Sequence, residues 1–139
     1  MNLEELVSAL ENDTNVNVID TNSKKIKKTI NDNLQRLQID RNILKIYNKL
    51  LKNYIYIETI NDIKIGHSIK YINIEDPEKL LLSANYIVCN INVNNNGILI
   101  TLKTYKNRYF TIYFHKYLIF KKMSHEERLI IKALDYISN

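Results

Sequence analysis

The chain has 139 residues, a mass of 16.5 kDa and a net charge of +5, the size of one domain or of a small domain with an arm. Its 45% hydrophobic and 25% charged fractions exclude a wholly disordered chain, and no apolar run approaches the ~20 residues that span a bilayer. Cys89 is the single cysteine and there are two glycines, which excludes an intrachain disulfide, a cysteine zinc cluster and a glycine-rich phosphate loop.

Leu3, Leu6, Val7 and Leu10 fall at helical spacing and predict a short amphipathic helix over 3–11. At that length it must dock to persist. Residues 1–22 hold five acids (Glu4, Glu5, Glu11, Asp13 and Asp20) and no base, and lack the basic start of a signal peptide. The expected location is therefore intracellular, in the cytoplasm. Asn12 to Ser23 is polar and turn-prone and reads as a linker, with a short extended piece at Val16–Ile19. A second helix is predicted over 24–38, with Ile26, Ile30, Leu34 and Leu37 in one stripe and Lys24, Lys25, Lys27 and Lys28 on its polar side. Asp40 is a plausible N-cap for a third helix over 41–54. Residues 23–53 carry nine bases against two acids. Residues 1–60 thus read as a helical arm.

From Ile63 the period changes to alternation, and strands are expected at Ile63–Ile74, Asn85–Val93, Ile98–Tyr105, Arg108–Phe114 and Tyr117–Lys121. Asn94–Gly97 is a hairpin turn signal, because Asn-Gly accepts positive φ. Ser124 and Glu127 form a capping box that opens a last helix, packed through Ile130, Ala133, Leu134 and Ile137. The fold class is therefore α+β. Residues 61–139 are expected to form a five-stranded antiparallel meander, curved as an SH3-like barrel or bent sheet, followed by a C-terminal helix.

Strand parity sends Ile87, Cys89, Ile91 and Val93 inward with Ile98, Ile100, Leu102, Phe110, Ile112 and Phe114. The opposite face then shows Tyr86, Lys103, Tyr105, Tyr109 and Tyr113, with Arg108 nearby, inside a 41-residue stretch (83–123) that holds six bases and no acid. Aromatics interleaved with bases suit a protein interface, and they also resemble a stacking platform for single-stranded nucleic acid. An ordinary exposed β face is the simplest account, since tyrosine is a strong β-former. The run of Lys24, Lys25, Lys27 and Lys28 offers phosphate contacts, or merely the wet side of a helix.

No catalytic residue, metal ligand set or cofactor is expected. His67, His115 and His125 share no ligand spacing, and no GxSxG or HExxH string occurs. Asp76 and Glu78 flank Pro77 in what reads as a solvated loop. No small-molecule substrate is evident either. The composition is rich in residues with AT-rich codons: 23 Ile, 20 Asn and 16 Lys against 4 Arg, so the excess of lysine over arginine carries little functional weight.

Gly66, Ile69, Lys70 and Tyr71, then Leu102, Lys103, Phe110, Ile119 and Phe120, make a pattern across residues 65–122. It resembles small β modules of the nucleocytoplasmic large DNA viruses, the giant viruses. Such modules often enter the second strand through a double glycine, where this chain has Ser83-Ala84-Asn85. The resemblance implies a giant virus with an AT-rich genome, a virion component with the virion as a second location, and no catalytic residue. Because the usual catalytic and metal constellations are absent, a non-enzymatic structural or interaction protein is expected. A protein partner or self-association is the favoured reading, and nucleic-acid binding by the Tyr/Lys face the alternative.

Overall fold

In the computed structural model, residues 2–12, 15, 18 and 21–138 are described. They form four α-helices and six strands in the order α1 (Leu3–Glu11), α2 (Ser23–Gln35), α3 (Arg41–Leu50), β1 (Tyr54–Ile57), β2 (Ser68–Asn73), β3 (Tyr86–Asn94), β4 (Gly97–Lys103), β5 (Tyr109–Tyr113), β6 (Tyr117–Lys122) and α4 (His125–Ser138). The α+β class is as expected from the sequence.

Helix starts follow local chemistry at α1, α2 and α4, whereas Asp40 stands before α3 as read but makes no side-chain capping hydrogen bond. Asn2 accepts the Glu4 and Glu5 N–H groups at the start of α1, and Asn22 accepts that of Lys25 at the start of α2. The Ser124–Glu127 capping box forms as read: the Ser124 N–H donates to Glu127 Oε1 at 3.0 Å, and the Glu127 N–H to Ser124 Oγ at 3.1 Å. Helix ends fall earlier than the apolar pattern suggested. Gln38 (φ 55°) and Asn53 (φ 69°) take left-handed conformations that stop α2 and α3, so residues 36–38 and 51–53 are turns. The chain then enters β1, a strand within the segment assigned above to the third helix and the arm.

The sheet has six strands rather than five. Its order is β1-β6-β2-β3-β4-β5, every neighbouring pair is antiparallel, and it is open. It is also not a simple meander. After β5, a 3-10 turn at Phe114–Lys116 carries the chain back so that β6 inserts between β1 and β2. Tyr54–Ile57 pairs with Ile119–Lys122, which supplies the sixth strand and covers one edge of β6. The strand expected from Ile63 starts at Ser68, because a turn at residues 65–66, with Gly66 at φ 95°, interrupts the extended chain before it. Between β3 and β4 the reversal leaves the positive φ on Gly97 (128°), where a side chain would press within 3.1 Å of His115.

Two cores lie on opposite faces of this sheet. The first joins α1, α2, α3 and α4 to the outer face of β1, β6 and β2 through Ala9, Ile30, Leu34, Tyr47, Leu51, Ile72, Phe120 and Ile130. The second lies on the inner face and contains Ile57, Ile69, Val88, Ile100, Leu102, Ile112 and Ile119. Two described positions of the segment read as a linker are tied to the fold. Asn15 and Val18 are buried, and Asn15 donates to the Ala9 carbonyl at 2.8 Å. The extended piece proposed at Val16–Ile19 falls largely outside the described residues.

Candidate interaction surface

The helices cover only the β1-β6-β2 half of the outer face. Among the described residues no helix packs extensively over β3, β4 and β5, whose outer side chains are half-buried or exposed. Cross-strand registry sets its rows: Ile87–Lys103–Tyr109, then Asn90–Thr101–Thr111, then Asn92–Leu99–Tyr113. Lys103 and Tyr109 are therefore direct neighbours, and the turn after β4 adds Tyr105 and Arg108 at the same end. Tyr105 and Tyr109 are exposed, with Lys106 Nζ 5.8 Å from the Tyr105 ring centre. Tyr113 lies two rows away and is already engaged: Asn94 Nδ2 donates to its hydroxyl at 3.4 Å, and Lys116 Nζ is 5.4 Å from its ring centre.

Tyr86 is not on this face. The register shifts between Val88 and Asn90, so Cys89 is a bulge residue and the parity of β3 inverts at that point. Ile91 still points inward as read, but upstream of the bulge Ile87 turns out (41% exposed) and Val88 turns in (0%). Tyr86 joins the inner core. It stacks on Tyr71 with ring centres 5.7 Å apart and meets Phe110 edge-on at 4.9 Å. Tyr117 packs edge-on against Tyr71 at 5.0 Å. Burial, reinforced by Tyr86 and Tyr117, pushes the Tyr71 hydroxyl up to about 12. Cys89 itself is half-buried, and its Sγ donates to the Ile87 carbonyl at 3.7 Å.

The second predicted patch lies elsewhere. Lys24, Lys25, Lys27 and Lys28 are exposed on α2, and Lys28 pairs with Asp32 at 2.8 Å. α2 packs on β1, the edge of the sheet opposite β5, so the two basic stretches do not form one surface. A groove of about 580 Å³ runs beside α2; Lys27, Lys49 and Lys52 line it over a floor of Ile30, Leu51 and Tyr54.

Three features lay outside the sequence-derived site. The first two are exposed apolar stripes. α1 docks on α4 through Leu6 and Ala9 and leaves Leu3 (72% exposed), Val7 and Leu10 in solvent. α3 leaves Ile43, Ile46 and Leu50 exposed while Leu44, Tyr47 and Leu51 pack inward. The signal was available: Ile43, Leu44, Ile46, Tyr47, Leu50 and Leu51 wrap too far round a helix for one face to bury. The third is a buried ion pair, in which Lys121 Nζ meets Glu127 Oε2 at 2.7 Å with both side chains at most 4% exposed. Parity along β6 would have turned Lys121 inward with Ile119.

His67 stands beside that pair. Its Nδ1 accepts the Lys64 N–H at 3.0 Å. Its pKa is lowered, first by burial, then by the charge of Lys121, with Lys64 adding and Glu127 opposing. A histidine whose folded pKa lies below its ordinary 6.5 binds its proton more readily in the unfolded chain. Its stabilising contribution is therefore present above pH 6.5 and is lost as pH falls through the folded value. The melting temperature is expected to drop between about pH 7 and pH 5, and to drop less in His67→Gln. Equal slopes in the two proteins would rule this out.

His115 sits in the turn before β6, with its ring 5.9 Å from that of Tyr113, and His125 faces Glu5 at 3.8 Å on the surface. Among the described residues no three of His, Cys, Asp and Glu are arranged so that they could hold a metal ion, and no helix is long and apolar enough to cross a membrane. In comparisons with known proteins the chain matches no family model, no curated protein and no solved structure.

Proposed function

We propose that this chain is a non-enzymatic interaction protein, a structural part of a larger assembly. The observation that carries this reading is the exposed stripe Leu3, Val7 and Leu10 on α1, bordered at helical spacing by Glu4 and Glu11. An apolar stripe with acids beside it gains from contact with protein and is repelled by phosphate. The bare face around Ile87, Tyr105 and Tyr109 offers a second surface on which rigid aromatic rings give contact area at low entropic cost. The likeness of residues 65–122 to giant-virus modules favours a virus particle as the assembly, with the cytoplasm as its place of manufacture. We also read β2–β6 as an SH3-like barrel that stays open, because β1 takes the edge of β6 that closure onto β5 would need.

One specific observation favours a second reading. Lys103, Tyr105, Arg108 and Tyr109 gather at one end of a face built from a stretch without acids, which suits stacking and phosphate contact with single-stranded nucleic acid. Titration against single-stranded DNA and RNA separates the two. Under the interaction reading no saturable binding is expected at near-physiological salt. Micromolar binding that weakens steeply as salt rises, and weakens again in Lys103→Glu, would replace it with the nucleic-acid reading. Co-purification from the native source is expected to recover a protein partner whose yield falls in Val7→Glu.

A further inference from the structure

We propose that the α1 stripe of one copy of this chain packs on the α3 stripe of a second copy. This inference rests on the interaction reading above and names its partner. The two stripes match in length and pattern: Leu3, Val7 and Leu10 on α1, and Ile43, Ile46 and Leu50 on α3, each running over seven residue steps, roughly 10 Å of helix. Their flanks are opposite in charge. Helical spacing sets Glu4 and Glu11 along one side of the α1 stripe, and Lys45 and Lys49 along the side of the α3 stripe that faces away from the core. Residues 41–52 hold no acid, and residues 1–12 hold no base. Among the described residues none of these four charged side chains has an ion-pair partner within the chain.

Within one chain the stripes do not satisfy each other. α1 packs on α4, and α3 packs on α2, so both apolar faces remain in water. The contact joins two different surfaces, so each copy offers one donor and one acceptor and the assembly extends or closes into a ring. One pair of short helices buries well under the roughly 1,200 Å² of a stable interface, so the contact is weak and depends on concentration and salt.

The test is sedimentation of the full chain up to about 1 mM protein, a range that detects weak contacts. Mass is expected to rise with concentration and to fall back toward monomer at high salt. Val7→Glu and Ile46→Glu change exposed side chains, and each is expected to leave the circular dichroism unchanged and the protein monomeric. Mixed together, they are expected to associate again, because each brings the half the other lacks. The inference is overturned if the unmodified chain stays monomeric at about 1 mM, if either variant still associates alone, or if the mixture stays monomeric. A monomeric chain that captures another protein through Leu3 and Val7 overturns this inference and leaves the interaction reading standing.

Discussion

Replacing Lys121 with methionine is expected to cost about 3–5 kcal/mol in urea unfolding, one of the largest losses any single change will give. Both charges of the pair lie in the interior, and Lys121 Nζ is the only cation on Glu127 Oε2 among the described residues. Removing the lysine leaves a buried carboxylate with one oxygen held by the Ser124 N–H and the other without a cation. The double variant Lys121→Met/Glu127→Leu removes both charges and is expected to recover most of the loss. It should remain about 1 kcal/mol short, because the capping box at the start of α4 goes with Glu127. A cost below about 1 kcal/mol for Lys121→Met would mean that the pair is hydrated, and would remove it as the joint between β6 and α4.

The second large effect comes from the bulge. Val88→Asp is expected to cost at least about 4 kcal/mol, enough to unfold a marginally stable domain, since it sets an unpaired charge among Ile69, Ile100 and Leu102. Ile87→Asp, one residue earlier, is expected to cost about 1 kcal/mol or less, because the side chain faces solvent. Simple alternation along β3 predicts the reverse ranking. Chemical denaturation of the two variants side by side decides it, and a larger loss for Ile87→Asp would mean that Cys89 is paired in register after all.

The bulge also explains why the aromatic face is smaller than the sequence suggested. With Tyr86 among Tyr71, Phe110 and Tyr117, the surface reduces to Lys103, Tyr105, Arg108 and Tyr109, with Ile87 taking the place of Tyr86 and Tyr113 partly committed to Asn94 and Lys116. An aromatic ring pointing inward stabilises the fold; the same ring pointing outward would serve a partner. Which it does here depends on one unpaired residue.

Much of the secondary structure was legible because its signals are local. The Asn-Gly turn, the Ser124–Glu127 box, the stripe of Ile26, Ile30 and Leu34, and the inward faces of β4 and β5 each depend on residues within a turn or a hairpin of one another. Sequence by itself thus determined the helices, most of the strands and the α+β class. Tertiary structure alone decided what those elements meet. Tyr54–Ile57 becomes a strand because β6, far along the chain, supplies its ladder, and β6 finds that place only by leaving the meander after β5. The bulge at Cys89 is a matter of register against β4 that no local pattern of β3 records. The partner of Lys121, and the exposure of Leu3, Val7, Ile46 and Leu50, follow from which helix covers which half of the sheet. Periodicity gives each element its faces, but burial of a face is a property of two elements, and the second is named only by the packing.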